Sequence, residues 1–170
     1  MLKLNANIKE IEFNSFLDIC FKYSSYFTFT QNGYTKYAKS QEHILFLEEL
    51  TPFLIKRIKT HHWHCYYVPK GYLIHVFLYK VDMEAKEIIK KHFNNLFLKE
   101  QMNNKLGEVS KLPEDLCFFI EDKLFVGTVS HEEICHVYPP GDQIYNEIHQ
   151  LGDWTILDHL IEEQINLSSL

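Results

Sequence analysis

Helical and strand-like patterns of apolar residues alternate along this chain, with turn residues between them. Apolar residues recur at helical spacing over 16–21, after Ser40, after Asp82 and over 142–151, each behind a residue suited to cap a helix. A Thr-Pro pair at 51–52 combines an N-cap with proline at the first helical position and predicts a further helix over 51–59. The pattern therefore predicts several short helices.

β-branched and aromatic residues concentrate in short runs bounded by turns. The runs 62–68 and 72–79, joined by Pro69-Lys70-Gly71, predict one hairpin, and the runs 116–120 and 123–130 predict a second. Shorter strands are predicted at 8–13, 26–34, 134–138 and 153–157, and the polar segment 99–113 predicts a loop or a frayed helix end. We expect an α+β fold: a single domain over residues 1–170, with a mainly antiparallel, hairpin-rich sheet and helices packed on one face.

The composition is typical of one folded globular domain. Of 170 residues, 46% are hydrophobic and 15% aromatic, which is enough for a sizeable core. Charges interrupt every apolar run before it could form a signal peptide or cross a bilayer, so we expect a soluble, cytoplasmic protein that does not contact membranes. The four cysteines are scattered without a C-x-x-C pair, so we expect buried, reduced thiols.

Three histidines and a cysteine fall within the stretch HHWHC at 61–65, which raises the question of a metal site. On a strand, His62 and His64 share one face, and this spacing can chelate Zn²⁺. By chemistry alone, His131, Glu132 or His136 could supply a third ligand. The alternative is that the stretch is an ordinary strand and that the protein needs no cofactor.

The predicted register of the first hairpin brings a second pair of reactive groups together. A three-residue connection sets Cys65 opposite His75, and a thiol beside an imidazole can act as nucleophile and base. The same face carries Trp63 and Tyr67, so a buried Cys–His contact in a core is the competing interpretation. Phosphate-binding loops, nucleophile elbows and the H-E-x-x-H zinc motif do not occur in the sequence, so the sequence gives no strong sign of an enzyme.

Charge is distributed unevenly along the chain. Residues 1–111 hold 16 of the 17 basic residues and 11 acidic ones, whereas residues 112–170 hold 12 acidic residues and the single basic residue Lys123. The acidic third would repel phosphates, so we do not expect a nucleic acid partner. An acidic surface of this kind favours a basic protein partner instead.

Aromatic residues lie among these acidic ones, in the arrangement expected of a binding surface with aromatic anchors and a charged rim. The predicted partner-binding residues are Glu132, Glu133, Tyr138, Asp142, Tyr145, Glu147, Asp153 and Trp154.

In its general profile the protein resembles the immunity proteins of bacterial toxin systems, which are small, acidic, aromatic-rich and cytosolic and have no catalytic motif. This resemblance implies an inhibitor that neutralises a basic partner, such as a toxin, by occluding its active site. The alternative from another class is a metal-dependent enzyme built on His62 and His64. The sequence does not fix an oligomeric state.

Overall fold

A computed structural model of the chain describes residues 1–32, 40–97, 101–104, 107–110, 112–158 and 164–170. The helices of this part are α1 (Glu10–Tyr23), α2 (Gln41–Glu49), α3 (Met83–His92) and α4 (Asp142–His149). Its strands are β1 (Leu2–Leu4), β2 (Tyr26–Asn32), β3 (Leu54–Thr60), β4 (His62–Trp63), β5 (Tyr66–Tyr67), β6 (Ile74–Lys80), β7 (Gln101–Asn104), β8 (Gly107–Ser110), β9 (Glu114–Ile120), β10 (Lys123–Val129), β11 (Ile134–Val137) and β12 (Trp154–Ile156). Among these described helices, none is long and apolar enough to cross a membrane.

Eight of these strands form one sheet in the order β12-β1-β11-β10-β9-β2-β6-β3, and every neighbouring pair is antiparallel. The pairs β4–β5 and β7–β8 each form a separate two-stranded unit. The predicted α+β fold with a mainly antiparallel sheet is therefore confirmed.

The two faces of the sheet are covered by different parts of the chain. All four helices pack on one face, where the core is rich in aromatic rings such as the stacked pair Phe27 and Tyr79, whose centroids lie 5.0 Å apart. The second face carries a smaller core that includes Val76, Phe119 and Leu124. The β4–β5 hairpin and the segment 164–170 cover it, because Trp63, Ile165 and Leu167 belong to that core.

Two predicted helix starts are confirmed, because the predicted capping side chains make hydrogen bonds to the backbone of the first turn. The Ser40 side chain accepts the N–H of His43 at 3.0 Å, and the Asp82 carboxylate accepts the N–H of Glu84 at 2.9 Å. These bonds satisfy backbone donors that would otherwise lack a partner at the start of α2 and α3.

Several predicted elements are wrong. Residues 51–59 do not form a helix: a single 3₁₀ turn at Thr51–Phe53 leads directly into β3 at the edge of the sheet. Residues 10–13 of the predicted strand 8–13 instead form the beginning of α1, and the predicted loop or helix end at 99–113 contains the strand pair β7–β8. β2 follows the prediction as far as Asn32, and the Asn-Gly turn proposed after it reaches beyond the described residues.

The long hairpin predicted for 62–68 and 72–79 is also wrong. β6 pairs with β2 and β3 in the sheet, so His75 faces Lys59 and Gln31 across the strands and not Cys65. The Pro69-Lys70-Gly71 turn does form, with Gly71 in the left-handed region at φ 99°. This turn does not join two paired strands, because residues 62–68 before it form the β4–β5 hairpin, which packs on the second face of the sheet.

Candidate metal centre

The tip of the β4–β5 hairpin is the two-residue loop His64-Cys65. Cys65 has φ 59°, in the left-handed region that favours glycine, so the backbone there is strained by about 1 kcal/mol. The side chain of Trp63, immediately before the loop, is completely buried and packs against Phe119 of β9 at 6.2 Å between ring centroids. This contact holds the hairpin down and keeps its tip against the sheet.

Three donor atoms meet where the hairpin tip contacts His136 of β11. The Nε2 atom of His64 lies 3.2 Å from Nδ1 of His136. The Sγ atom of Cys65 lies 3.3 Å from the first of these nitrogens and 3.5 Å from the second. We refer to His64, Cys65 and His136 as the His–Cys–His cluster.

The dimensions of the His–Cys–His cluster match a tetrahedral metal site. With Zn–N bonds of about 2.0–2.1 Å and Zn–S bonds of about 2.3 Å, the edges of a tetrahedron are about 3.3 Å between nitrogens and about 3.6 Å between nitrogen and sulfur. The observed N···N distance of 3.2 Å and N···S distances of 3.3 and 3.5 Å are close to these edges. In the metal-free chain, the same contacts are hydrogen bonds of the thiol and the two imidazoles.

A glycine in the sheet makes room for the cluster. Gly127 of β10 lies opposite His136 in the ladder, and the ring of His64 rests directly on it. A Cβ atom at position 127 would lie 2.6 Å from Cδ2 of His64, closer than side chains tolerate. Glycine at this position therefore allows the close approach of the hairpin tip to the sheet.

Burial favours the neutral imidazoles that metal binding requires. His64 is 4% exposed, and burial, with His136 and His62 nearby, lowers its pKa to about 3. His136 is 3% exposed, and burial together with the charge of Lys3 lowers its pKa as well. Both rings are thus neutral at physiological pH and can offer a lone pair to a cation.

His62 and His75, which the sequence interpretation paired with His64 and Cys65, lie outside the cluster. The ring of His62 stacks on Tyr67 at 4.2 Å between centroids and takes no part in the cluster. His136 is one of the three residues predicted as a third ligand. Cys65 was missed as its partner, because a flat strand would put residues 64 and 65 on opposite faces, whereas a tight loop brings both side chains to one point.

A second group of potential ligands, Glu114, Asp115 and His131, lies beside the hairpin on β9 and the turn before β11. Its central carboxylate is already satisfied: Asp115 accepts hydrogen bonds from Thr30 and Tyr66 on one oxygen and from the backbone N–H of Ser130 on the other. This group is therefore a hydrogen-bonding network, and the His–Cys–His cluster is the better metal site.

The eight predicted partner-binding residues differ in their exposure and in their contacts within the chain. Glu132, Glu133, Asp142 and Asp153 are exposed. The carboxylate of Glu147 is engaged within the chain by Lys22 at 3.0 Å and by the hydroxyl of Tyr23 at 2.7 Å.

The aromatic members of the predicted set differ in their exposure. Trp154 is 8% exposed and stacks on Phe16 in the core beneath the helices. Tyr138 and Tyr145 are half-buried, and together with Asp142 they line a cleft of about 700 Å³ between β10 and the start of α4. The Tyr138 ring also contacts the ring of His64, with centroids 6.4 Å apart, so the cleft adjoins the His–Cys–His cluster.

Comparisons of the chain with protein-family models, with curated proteins and with solved structures give no match.

Proposed function

We propose that the protein is a zinc-dependent enzyme whose ion is held by Nε2 of His64, Sγ of Cys65 and Nδ1 of His136. The observation that carries the proposal is the agreement of the three donor distances with the edges of a tetrahedral site. Mixed nitrogen and thiolate donors favour Zn²⁺ over Mg²⁺ or Ca²⁺, which take oxygen ligands.

Three protein ligands leave a fourth position, as in catalytic zinc sites rather than closed structural ones. Of the three ligands, Cys65 is partly exposed while both histidines are buried. When bound there, Zn²⁺ lowers the pKa of a water ligand into the neutral range and so supplies a nucleophile for hydrolysis. The cleft lined by Tyr138 adjoins the cluster through the contact between the Tyr138 and His64 rings, and it offers space for a substrate.

Metal analysis of purified protein tests the proposal directly. After loading with Zn²⁺ and dialysis, we expect one zinc per chain in the wild type and none retained by Cys65→Ser or His136→Ala. His62→Ala is the matched control, since it removes a neighbouring histidine of the same hairpin. Loss of zinc in His62→Ala but not in Cys65→Ser would contradict the assignment of the ligands.

The enzymatic part of the proposal needs its own measurement. The zinc-loaded wild type should hydrolyse at least one of a panel of chromogenic esters and phosphodiesters, and a chelator should abolish the activity until zinc is restored. Stoichiometric zinc without any zinc-dependent turnover across the panel would restrict the ion to a structural role.

A second candidate function is the binding of a basic protein partner, such as a toxin, in the manner of an inhibitor. The observation in its favour is that Tyr138, Asp142 and Tyr145, all predicted for partner binding, line one cleft. Neutralising Glu132, Glu133 and Asp142 as amides should slow association with such a partner and flatten its salt dependence. Glu147→Gln serves as the control because its carboxylate is already paired with Lys22. Equal effects of the two variants would argue against the exposed acids as the interface.

A further inference from the structure

The hairpin that carries two of the three cluster donors is anchored on both of its strands. Trp63, directly before His64, is buried in the apolar core of the second face. Tyr66, directly after Cys65, extends its hydroxyl to Oδ2 of Asp115 at 2.8 Å. The loop His64-Cys65 is thus fixed on one side by the buried Trp63 ring, an apolar anchor, and on the other by the hydrogen bond of Tyr66, a polar anchor.

The acceptor of the polar anchor is itself rigidly held. Asp115 is completely buried, and Oδ2 also accepts the hydroxyl of Thr30 at 2.7 Å. Its Oδ1 accepts the backbone N–H of Ser130 at 2.8 Å, and its own N–H donates to the Ser130 hydroxyl at 3.0 Å. Donors from β2, the hairpin and the turn before β11 therefore converge on one carboxylate.

The chemistry of the pair defines the direction of the hydrogen bond. Tyr66 carries the hydroxyl, and Oδ2 of the completely buried Asp115 accepts it at 2.8 Å. A hydrogen bond to a buried polar group is costly to break, because its loss leaves that group short of a partner. It therefore opposes any movement of Tyr66, and with it of Cys65, away from the sheet.

We propose that Tyr66, oriented by Asp115, is the positioning residue of the His–Cys–His cluster. This inference rests on the proposed zinc site, because it assigns the residue that keeps the Sγ atom of Cys65 within bonding distance of an ion shared with His136. Metal affinity is sensitive to such outer partners, whose loss commonly weakens binding about 10–100-fold. Tyr66 makes no contact with the ion and takes no part in chemistry.

The test compares Tyr66→Phe with Tyr67→Phe. Both changes remove one phenol hydroxyl from the same strand of the hairpin, but Tyr67 is 73% exposed and stacks on His62 through its ring. Zinc affinity is measured by competition with a chromophoric chelator, at a temperature where both variants are folded by circular dichroism. We expect affinity at least about tenfold weaker in Tyr66→Phe and within about twofold of the wild type in Tyr67→Phe.

A matched pair at Thr30 separates positioning from a general loss of packing. Thr30→Ser keeps the hydroxyl that bonds Asp115, whereas Thr30→Val keeps the shape and removes the bond. Zinc binding should be close to wild type in Thr30→Ser and weakened in Thr30→Val. Equal affinities of Tyr66→Phe and the wild type would overturn the assignment of Tyr66.

Hydrogen exchange of the Val68 amide in the metal-free protein gives a readout that does not depend on zinc. This N–H bonds the carbonyl of His61 and closes the hairpin, so it should exchange at least about tenfold faster in Tyr66→Phe than in Tyr67→Phe. A wild type that binds no zinc would overturn the proposed function alone if this difference is found. If the exchange rate of the Val68 amide is also unchanged, both the proposed zinc site and the role of Tyr66 are overturned.

Discussion

At position 127 the sheet offers no side chain, and the imidazole of His64 occupies that space. The ring cannot simply turn away from an added methyl group, because its Nε2 lies within 3.3 Å of both Cys65 and His136 and its surroundings are buried. The cluster can therefore form only because residue 127 of β10 has no side chain.

Replacing Gly127 with alanine should lift the hairpin tip from the sheet. We expect the free energy of unfolding to fall by about 1–3 kcal/mol, the usual cost of forcing extra volume into a packed site, and zinc binding to weaken in parallel. Urea denaturation measures the first effect and chelator competition the second.

Gly141→Ala is the control for this substitution. A Cβ atom at Gly141 would meet nothing within 4 Å, and the backbone there is extended. Similar losses of stability and zinc binding in both variants would show that His64 does not depend on the space above residue 127.

The cluster could be read only in part from the sequence. His64 and His136 were both among the candidate ligands, but no local pattern relates residues 72 positions apart, and nothing in the sequence reveals a loop at 64–65. One clue was present: Gly127 interrupts an otherwise β-branched and aromatic strand, which is typical of a close approach by another group.

At the scale of elements, a buried lysine ties α1 to α3. Asp18 of α1 accepts hydrogen bonds from Lys86 at 2.6 Å and Lys90 at 2.8 Å, both on α3. Burial alone would raise the pKa of Asp18, but these two bonds lower it below its usual value. Lys86 lies in the core contact between the helices, so its ammonium group depends on this carboxylate.

Asp18→Asn should lower the free energy of unfolding by about 1 kcal/mol near neutral pH, a figure that already allows for solvent screening of the half-exposed carboxylate. Because pairing lowers the folded-state pKa, the stabilisation is complete above the unfolded value of about 3.9 and is lost as pH falls through the lower folded value.

Denaturation of the wild type and Asp18→Asn at a series of pH values measures this effect. The difference between them should be constant from neutrality to about pH 5 and shrink at lower pH. Glu12→Gln, an exposed acid on the same helix, should show a smaller difference at neutral pH. A pH-independent difference for Asp18→Asn would mean that the carboxylate charge is not what holds Lys86.

Element prediction succeeded where a side chain closes a local bond and failed where distant strands decide the outcome. Ser40 and Asp82 cap their helices through their own side chains, which the sequence displays directly. Residues 54–60 became a strand because β6 offers them a ladder, and only Ile58 among them is buried. With β6 paired on both edges, 62–68 had no strand to join and folded over the second face.

Across the whole molecule, the acidic third of the sequence supplies one side of the sheet. Strands β9 to β12, all from the acidic third, form one side of the sheet together with β1. The opposite edge is β3, which carries Lys56, Arg57 and Lys59. The strands on the first side carry few acids themselves, because Glu121, Asp122, Glu132, Glu133 and Asp142 lie between strands.

The four cysteines differ in their exposure, and this difference predicts one reactive thiol in the native molecule. Cys20, Cys117 and Cys135 are completely buried, and burial raises their thiol pKa values, to about 12 for Cys117. Cys65 is partly exposed. A chromogenic thiol reagent should modify one thiol rapidly in the metal-free protein and all four in denaturant.

Zinc provides the control for the labelling experiment. If Cys65 is a zinc ligand, saturating zinc should suppress the rapid reaction, whereas Mg²⁺, which prefers oxygen ligands, should not. Rapid labelling of two or more thiols would contradict the burial pattern, and labelling that zinc leaves unchanged would contradict the role of Cys65.

The position of β1 between β11 and β12 has a consequence for biosynthesis. Leu2 pairs with Val137 on one side and with Ile156 on the other. At roughly 5–20 residues per second, the ribosome adds the second partner about 8–30 seconds after Leu2. Until both partner strands have been made, Leu2 and Leu4, which are buried in the finished fold, lack part of the sheet that surrounds them. This end of the sheet therefore closes late in synthesis, and the nascent chain carries an exposed apolar segment that chaperones can recognise in the meantime.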